Sequence, residues 1–193
     1  MILYKDIIKE DNEHLRKKSI DVALPISQED IDILELMNQY LLNGYDDDFS
    51  LKDEIRPGVG LSAVQIDILK KMFVILAYDE EGFSHHYGVI NPKIISHSEK
   101  LTYLESGEGC LSVDRQVQGI VLRPRRITAK CHLYDFVTKE VVETTLKLKG
   151  YIAIVFQHEY DHLSGILFYD HINHDDPFAV PENAIPVSFK KDE

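Results

Sequence analysis

The spacing of hydrophobic residues predicts two helices. The first covers residues 27–43, where apolar side chains recur at helical spacing and Ser27 and Asp30 resemble a capping box. The second runs from about Tyr151 to Ser164, and Gly165 suits its C-cap. A turn of about 100° per residue divides this second helix into a core stripe, a polar stripe and a third stripe. The core stripe contains Ile152, Phe156 and Leu163, and the polar stripe contains Gln157, Asp161 and Ser164. The third stripe contains Tyr151, Val155, His158 and His162.

Between these helices the pattern changes to that of strands. Residues 72–78 form an apolar, partly β-branched run, whereas 127–134 and 142–149 alternate strictly between apolar and polar positions. Such alternation is typical of half-buried antiparallel strands. Cys131 falls on the apolar phase and is predicted to be a buried core thiol, and a strand-like run is predicted at 168–172. We therefore expect an α+β fold, with antiparallel sheets packed around the second helix as its central element.

Length and composition predict one globular domain spanning residues 1–193. Hydrophobic residues make up 44% of the chain and charged residues 28%, values that are usual for globular proteins. No apolar run is long enough to span a bilayer, and residues 1–10 lack the pattern of a secretory signal. The expected location is the cytoplasm, with no membrane partner.

The formal net charge of −12 argues against broad, sequence-independent binding of nucleic acids, and no DNA partner is expected. Arg123, Arg125 and Arg126 form one dense basic cluster, which is interpreted as a solvated strand end or loop. Residues 45–56 read as an acidic loop, and residues 57–60 as a tight turn that depends on glycine.

The second predicted helix carries the pattern H-E-x-x-H at residues 158–162. His158 and His162 are four residues apart, so one helix face presents both imidazoles to a single metal ion. Glu159 is close enough to serve a metal-bound water without being a ligand. Tyr151 and Val155 share the face of the two histidines and would place an apolar wall beside them. Because the pattern is short, a solvated helix face with two histidines remains the alternative.

The third metal ligand decides between these interpretations. The metzincin pattern requires a histidine at the position of Phe168, and phenylalanine cannot bind a metal. Another group of H-E-x-x-H enzymes uses a glutamate on a downstream helix as the third ligand. Glu182 is the candidate here, but Pro181 and Pro186 flank it and disfavour the helix that would direct its carboxylate. The nearer candidates are Asp170, His171 and His174, of which His171 is interpreted as structural.

Cys110 is the remaining candidate, in a glycine-rich loop at residues 105–112. A thiolate is a strong ligand for zinc or ferrous iron, and two histidines with one cysteine leave a position open for water. Spacing alone does not establish that Cys110 approaches the helix, so the third ligand stays open at this point.

Three short sequence motifs occur in a characteristic order along the chain. They are GVGLSAVQ at 58–65, EGCLS at 108–112 and QHEYDHL at 157–163. The chain closely resembles the peptide deformylases, whose motifs are GxGLAAxQ, EGCLS and QHExDHL. The resemblance covers residues from about 12 to about 172. Ser62 stands where that family usually has alanine.

The resemblance implies hydrolysis of the N-formyl group from formylmethionyl peptides, with release of formate. It assigns one divalent metal ion to Cys110, His158 and His162, ferrous iron natively, with zinc, nickel or cobalt as substitutes. Glu159 would take a proton from the water and pass it to the departing amine. The Gln65 side-chain amide and the Leu111 backbone N–H would donate hydrogen bonds to the oxyanion.

The resemblance also implies a pocket for the methionine side chain. Its expected lining is Val59, Gly60, Leu104, Gly109, Tyr151, Ile154 and Val155. The acidic stretch before Pro57 resembles the longer subgroup of the family, and the ribosome near the nascent-chain exit is a suggested further partner. Two alternatives remain: a metallopeptidase of the H-E-x-x-H type that cuts internal peptide bonds, and a metal-binding domain without catalysis.

Overall fold

The computed structural model describes residues 1–46 and 55–189, and most of the predicted acidic loop lies outside them. Helix α1 spans Gln28–Asn43, and the Ser27 hydroxyl accepts a hydrogen bond from the Asp30 backbone N–H at 3.2 Å, as the capping pattern predicts. Helix α2 spans Gly150–His162. It ends two residues before the predicted end at Ser164, and Gly165 follows with a left-handed φ of 72°.

Eight strands form two sheets in the described residues. The larger sheet has the order β1-β2-β3-β6-β7, and each neighbouring pair is antiparallel, as predicted. The smaller sheet has the order β5-β4-β8, with β4 and β8 parallel. The strands are β1 Gly60–Ser62, β2 Met72–Tyr78, β3 Ser84–His97, β4 Leu101–Tyr103, β5 Arg123–Pro124, β6 Arg126–Tyr134, β7 Val141–Lys149 and β8 Ala184–Pro186.

Short 3₁₀ helices complete the described structure, at Tyr4–Asp6, Glu13–Arg16, Ala63–Ile66 and Phe168–His171. The strand predicted at 168–172 is therefore wrong. The Asp170 side chain accepts a hydrogen bond from the Leu167 backbone N–H at 2.8 Å, and the Asp170 N–H donates to the Leu167 carbonyl at 2.9 Å. This local pairing closes a helical turn and outweighs the alternating pattern.

Strand β2 is buried on both faces, which explains its uninterrupted apolar run. Alternate residues of β2 contact α1 on one side and α2 on the other. The α2 side includes the predicted core stripe and Cys131, which is 3% exposed. The prediction of a core thiol is confirmed, and burial raises the pKa of Cys131 to about 11.

Helix α2 contacts strands of both sheets, which gives it the central position that was predicted. Its polar stripe is less exposed than expected, because Gln157 is only 7% exposed. Buried amides need partners, and Gln157 donates to the carbonyls of Ala153 and Pro124 at 2.8 and 3.0 Å. No helix in residues 1–46 and 55–189 is long and apolar enough to cross a membrane.

Candidate metal centre and adjoining pocket

Cys110, His158 and His162 come together at a single point. Their ligand atoms all lie within 4.8 Å of one another, and Cys110 Sγ is 3.3 Å from His162 Nε2. Helix α2 supplies both histidines, one turn apart, and the loop after β4 supplies the cysteine. Among the described residues no other group of His, Cys, Asp or Glu meets this geometry.

The other candidates for the third metal ligand either pair with other residues or lie outside the cluster. The Asp170 carboxylate pairs with the Arg16 guanidinium, and His171 Nε2 lies 2.7 Å from Asp161 Oδ2. His174 and Glu182 are exposed residues outside the cluster.

The cluster fits a divalent metal ion. Ligands about 2.0–2.3 Å from a tetrahedral metal lie roughly 3.4–3.6 Å apart, close to the separation of Cys110 Sγ and His162 Nε2 at 3.3 Å. The sulfur accepts hydrogen bonds from the Ser112 N–H at 3.4 Å and from Gln65 Nε2 at 3.6 Å. These contacts hold the sulfur in place, with Sγ directed toward the two histidines.

The electrostatics around the two histidines also suit a cation. Burial, with a further contribution from His158, lowers the pKa of His162 well below 6.5, so its ring is held in the neutral form that binds metals. Burial alone would lower the pKa of His158, but hydrogen bonds with Cys110 and Glu108 outweigh burial and raise it. The local field at His158 is therefore negative, which favours a positive charge in the cluster.

A buried ion-pair network fixes the orientation of His158. Its Nδ1 lies 2.9 Å from Glu108 Oε2, which leaves Nε2 for the metal cluster. Glu108 also binds Arg123 through two hydrogen bonds of 2.6 and 3.0 Å, and Arg123 reaches Asp161 at 2.8 Å. Burial alone would raise the pKa of Glu108, but Arg123 and His158 lower it to about 2.

Arg123 thus corrects one interpretation made from the sequence. It was assigned to a solvated basic cluster, yet it is 3% exposed, whereas Arg126 is exposed as expected. Neither Glu108 nor Arg123 was predicted as a site residue. Glu108 could have been suspected from its place in the EGCLS segment, but nothing in the local pattern distinguishes Arg123 from its neighbours.

Replacing Arg123 with alanine is expected to lower the free energy of unfolding by about 3–5 kcal/mol, because Glu108 and Asp161 would keep charges without their partner. Denaturant titration of metal-free protein measures this effect. Arg126→Ala removes an exposed arginine of the same cluster and should change the free energy by less than about 1 kcal/mol. Equal effects of the two substitutions would contradict the structural role given to Arg123.

Glu159 follows the ligand His158 in the sequence, and its carboxylate is buried. It is 4% exposed, and its Oε2 accepts a hydrogen bond from the Ser62 hydroxyl at 2.7 Å. Burial raises the pKa of Glu159, while the charge of His158 and the hydrogen bond from Ser62 oppose that shift. Strand β1 runs against the carboxylate so closely that a Cβ at Gly60 would overlap it. Glycine is required there by this close approach.

Gln65 faces the same cluster from the Ala63–Ile66 turn. Its Oε1 accepts from the Ser62 backbone N–H at 2.9 Å, and its Nε2 lies 3.1 Å from Ser112 Oγ and 3.6 Å from Cys110 Sγ. These contacts fix the direction of the amide, with the N–H donors toward Cys110. Leu111 is 6% exposed and follows Cys110 directly.

A cavity of about 280 Å³ adjoins these residues. All seven residues expected in the pocket line it, together with Gln65, Cys110, Leu111, His158 and Glu159. His162 is not part of the lining and is 1% exposed. Residues that the sequence did not assign to the lining are Arg56, Pro57, Gly58 and Glu108. The cavity therefore joins an apolar wall to the metal cluster and to a buried carboxylate.

Comparison with known proteins identifies relatives along almost the whole chain. The family model described as polypeptide deformylase matches residues 4–178. Peptide deformylase 2 of Geobacillus stearothermophilus is 50% identical over 187 residues, which is 97% of this chain and 99% of that protein. Peptide deformylase 2 of Bacillus anthracis is 47% identical, with the same coverage of both chains.

Solved structures show the same fold. A probable peptide deformylase from Synechococcus phage S-SSM7 has a TM-score of 0.66 and 34% identity, covering 86% of this chain and 98% of its own. A class I type b peptide deformylase from Acinetobacter baumannii, solved with Met-Ala-Ser bound, has a TM-score of 0.66 and 26% identity. That match covers 86% of this chain and 96% of the other.

Proposed function

The chain belongs to the polypeptide deformylase family, and from that premise we propose which of its residues carry out the family's reaction. The protein removes the formyl group from nascent polypeptides. The observation that supports our assignment is the convergence of Cys110, His158, His162 and Glu159 at one end of a single apolar cavity.

The metal ligands we propose are Cys110, His158 and His162. The family is metal-dependent, and when bound the ion supplies Lewis acidity toward a water molecule and a carbonyl oxygen. Three protein ligands leave a position open, as a catalytic site requires. We propose ferrous iron as the native ion, with zinc, nickel and cobalt as substitutes, since one thiolate and two imidazoles suit each of them.

Glu159 is the proposed general base and then the general acid. It takes one proton from water, while the resulting hydroxide adds to the formyl carbon. When the C–N bond breaks, Glu159 returns that proton to the departing amine, and formate leaves with the added oxygen. A pKa raised by burial suits a group that must both accept and return a proton.

Gln65 and the Leu111 backbone N–H are the proposed donors to the oxyanion. Gln65→Ala is expected to lower kcat by about 10²–10³-fold, or roughly 2.7–4 kcal/mol, the usual effect of losing one such donor. KM should change little because the charge develops in the transition state. Steady-state kinetics measures both. Gln39→Ala, at an exposed glutamine of α1, is the control. An unchanged kcat would remove Gln65 from the mechanism.

The methionine side chain is the proposed occupant of the apolar wall. Val59, Leu104, Tyr151, Ile154 and Val155 line this part of the cavity, where an uncharged flexible side chain can be buried. Gly58 and Gly60 let the backbone come close to the peptide, and Gly109 lines the same cavity. The structure of the A. baumannii relative with Met-Ala-Ser bound supports this substrate class.

The remaining proposals concern the whole protein. We propose a single catalytic domain spanning residues 1–193, acting in the cytoplasm on chains that leave the ribosome. A contact with the ribosome near the nascent-chain exit would bring the enzyme to its substrate, and no DNA is needed for the reaction.

Release of formate from formyl-Met-Ala-Ser by anaerobically purified protein tests the proposal, with metal analysis of the same sample. Deformylation predicts formate and intact Met-Ala-Ser. Internal cleavage of both the formylated and the unformylated peptide would favour the metallopeptidase. Absence of any product from metal-loaded protein would favour the non-catalytic alternative. Activity that is lost in air with iron but kept with zinc would support ferrous iron as the native ion.

A further inference from the structure

Ser62 is the residue at which the sequence departs from the usual alanine, and its hydroxyl contacts the proposed base. Ser62 Oγ lies 2.7 Å from Glu159 Oε2 and 3.0 Å from the Glu159 backbone carbonyl. Ser62 is 0% exposed and Glu159 is 4% exposed. The contact is therefore made in the protein interior.

The two oxygens of the Glu159 carboxylate have different surroundings. In residues 1–46 and 55–189, Ser62 Oγ is the only hydrogen-bond partner of this carboxylate, and it contacts Oε2. Oε1 lies against the backbone of Gly60, and both Gly60 and Glu159 line the cavity. One oxygen is thus held by a hydrogen bond, and the other has no hydrogen-bond partner among the described residues.

We propose that Ser62 is a positioning residue, which holds Oε2 so that Oε1 faces the water to be deprotonated. The terminal torsion of glutamate is broad and roughly two-fold, so a carboxylate without this hydrogen bond samples more orientations. The family motif GxGLAAxQ has alanine at this position, which indicates that the reaction does not require the hydroxyl. The contribution is therefore to rate, and the inference rests on the proposed role of Glu159 as the base.

A single substitution separates this role from the backbone contact that Ser62 makes with Gln65. The Ser62 backbone N–H donates to Gln65 Oε1 at 2.9 Å, and Ser62→Ala keeps that hydrogen bond. The substitution removes one oxygen atom and with it both contacts to Glu159, at the carboxylate and at the backbone carbonyl. The Glu159→Ala background separates these two contacts, because alanine keeps the carbonyl and lacks the carboxylate.

Steady-state kinetics of zinc-loaded Ser62→Ala on formyl-Met-Ala-Ser is the test. We expect kcat to fall about tenfold because one hydrogen bond to a charged group is lost, with KM and metal content unchanged. In a Glu159→Ala background, adding Ser62→Ala should cause no further loss of the residual rate, because the carboxylate it positions is absent. Ser19→Ala is the matched control, since Ser19 is 5% exposed and its hydroxyl has no partner among the described residues.

Three results would overturn the inference: an unchanged kcat in Ser62→Ala, a rise in KM that accounts for the whole effect, or an equal loss in the Glu159→Ala background. A structural role would produce the last of these, and thermal unfolding of each variant shows whether folding has changed. The wild-type protein is measured beside them. If it released no formate, the proposed function would fail, whereas an active wild type with an equally active Ser62→Ala would reject only the inference about Ser62.

Discussion

Glu159→Ala is expected to keep its metal and to lower kcat by about 10²–10⁴-fold, the usual contribution of a positioned acid–base group. Glu159 is not one of the three clustered ligands, and its buried carboxylate faces the same cavity. Removing it therefore takes away the proton acceptor and leaves Cys110, His158 and His162 in place. Kinetics on formyl-Met-Ala-Ser and elemental analysis of the same sample measure the two effects together.

Glu182→Ala is the control for this prediction. Glu182 is an exposed glutamate that the sequence left open as a metal ligand. Its replacement should leave both turnover and metal content unchanged. If Glu159→Ala were as active as the wild type, Glu159 would not be the base. If it lost the metal, the loss of activity could not be assigned to proton transfer, and the assignment of Glu159 as a non-ligand would be wrong.

The helix and strands that carry the site were predicted from the sequence better than the long-range contacts of the site residues. Residue spacing placed His158 and His162 on one helical face, and strict alternation identified β6 and β7, because these patterns arise from local backbone geometry. The approach of Cys110 to the helix is a long-range contact. Spacing left it open, and the motif resemblance and then the structure brought the three residues together.

Arg123 shows why the rest could not be predicted. Arg125 and Arg126 lie two and three residues further along the sequence, and a buried arginine differs from an exposed one only through partners far along the chain. Those partners, Glu108 and Asp161, are 15 and 38 residues away. The hydroxyl of Ser62 reaches across 97 residues to Glu159 in the same way. The roles of Arg123 and Ser62 therefore depend on contacts with residues distant in sequence, which local sequence patterns do not predict.

Cys110→Ala is expected to lose most of its bound metal, because two imidazoles alone provide a much weaker site than two imidazoles and a thiolate. Metal that binds the folded state at 100 times its Kd stabilises that state by about 2.7 kcal/mol. The variant should lose this stabilisation, so its midpoint of thermal unfolding should no longer rise when zinc is added. Elemental analysis after dialysis measures the metal, and unfolding with and without zinc measures the linkage.

Cys131→Ala provides the matched control, since the chain has two cysteines and both are buried and free. Cys131 lies on β6 in the core cluster that also includes residues of α2, so its replacement lowers stability through a small cavity but should keep one metal ion per chain. The zinc-dependent rise in the unfolding midpoint should therefore persist in Cys131→Ala and disappear in Cys110→Ala. Full metal occupancy in Cys110→Ala would contradict the ligand assignment and direct attention to Asp170 or Glu182. That outcome would require Asp170 to leave its ion pair with Arg16, which is why the geometry favours Cys110.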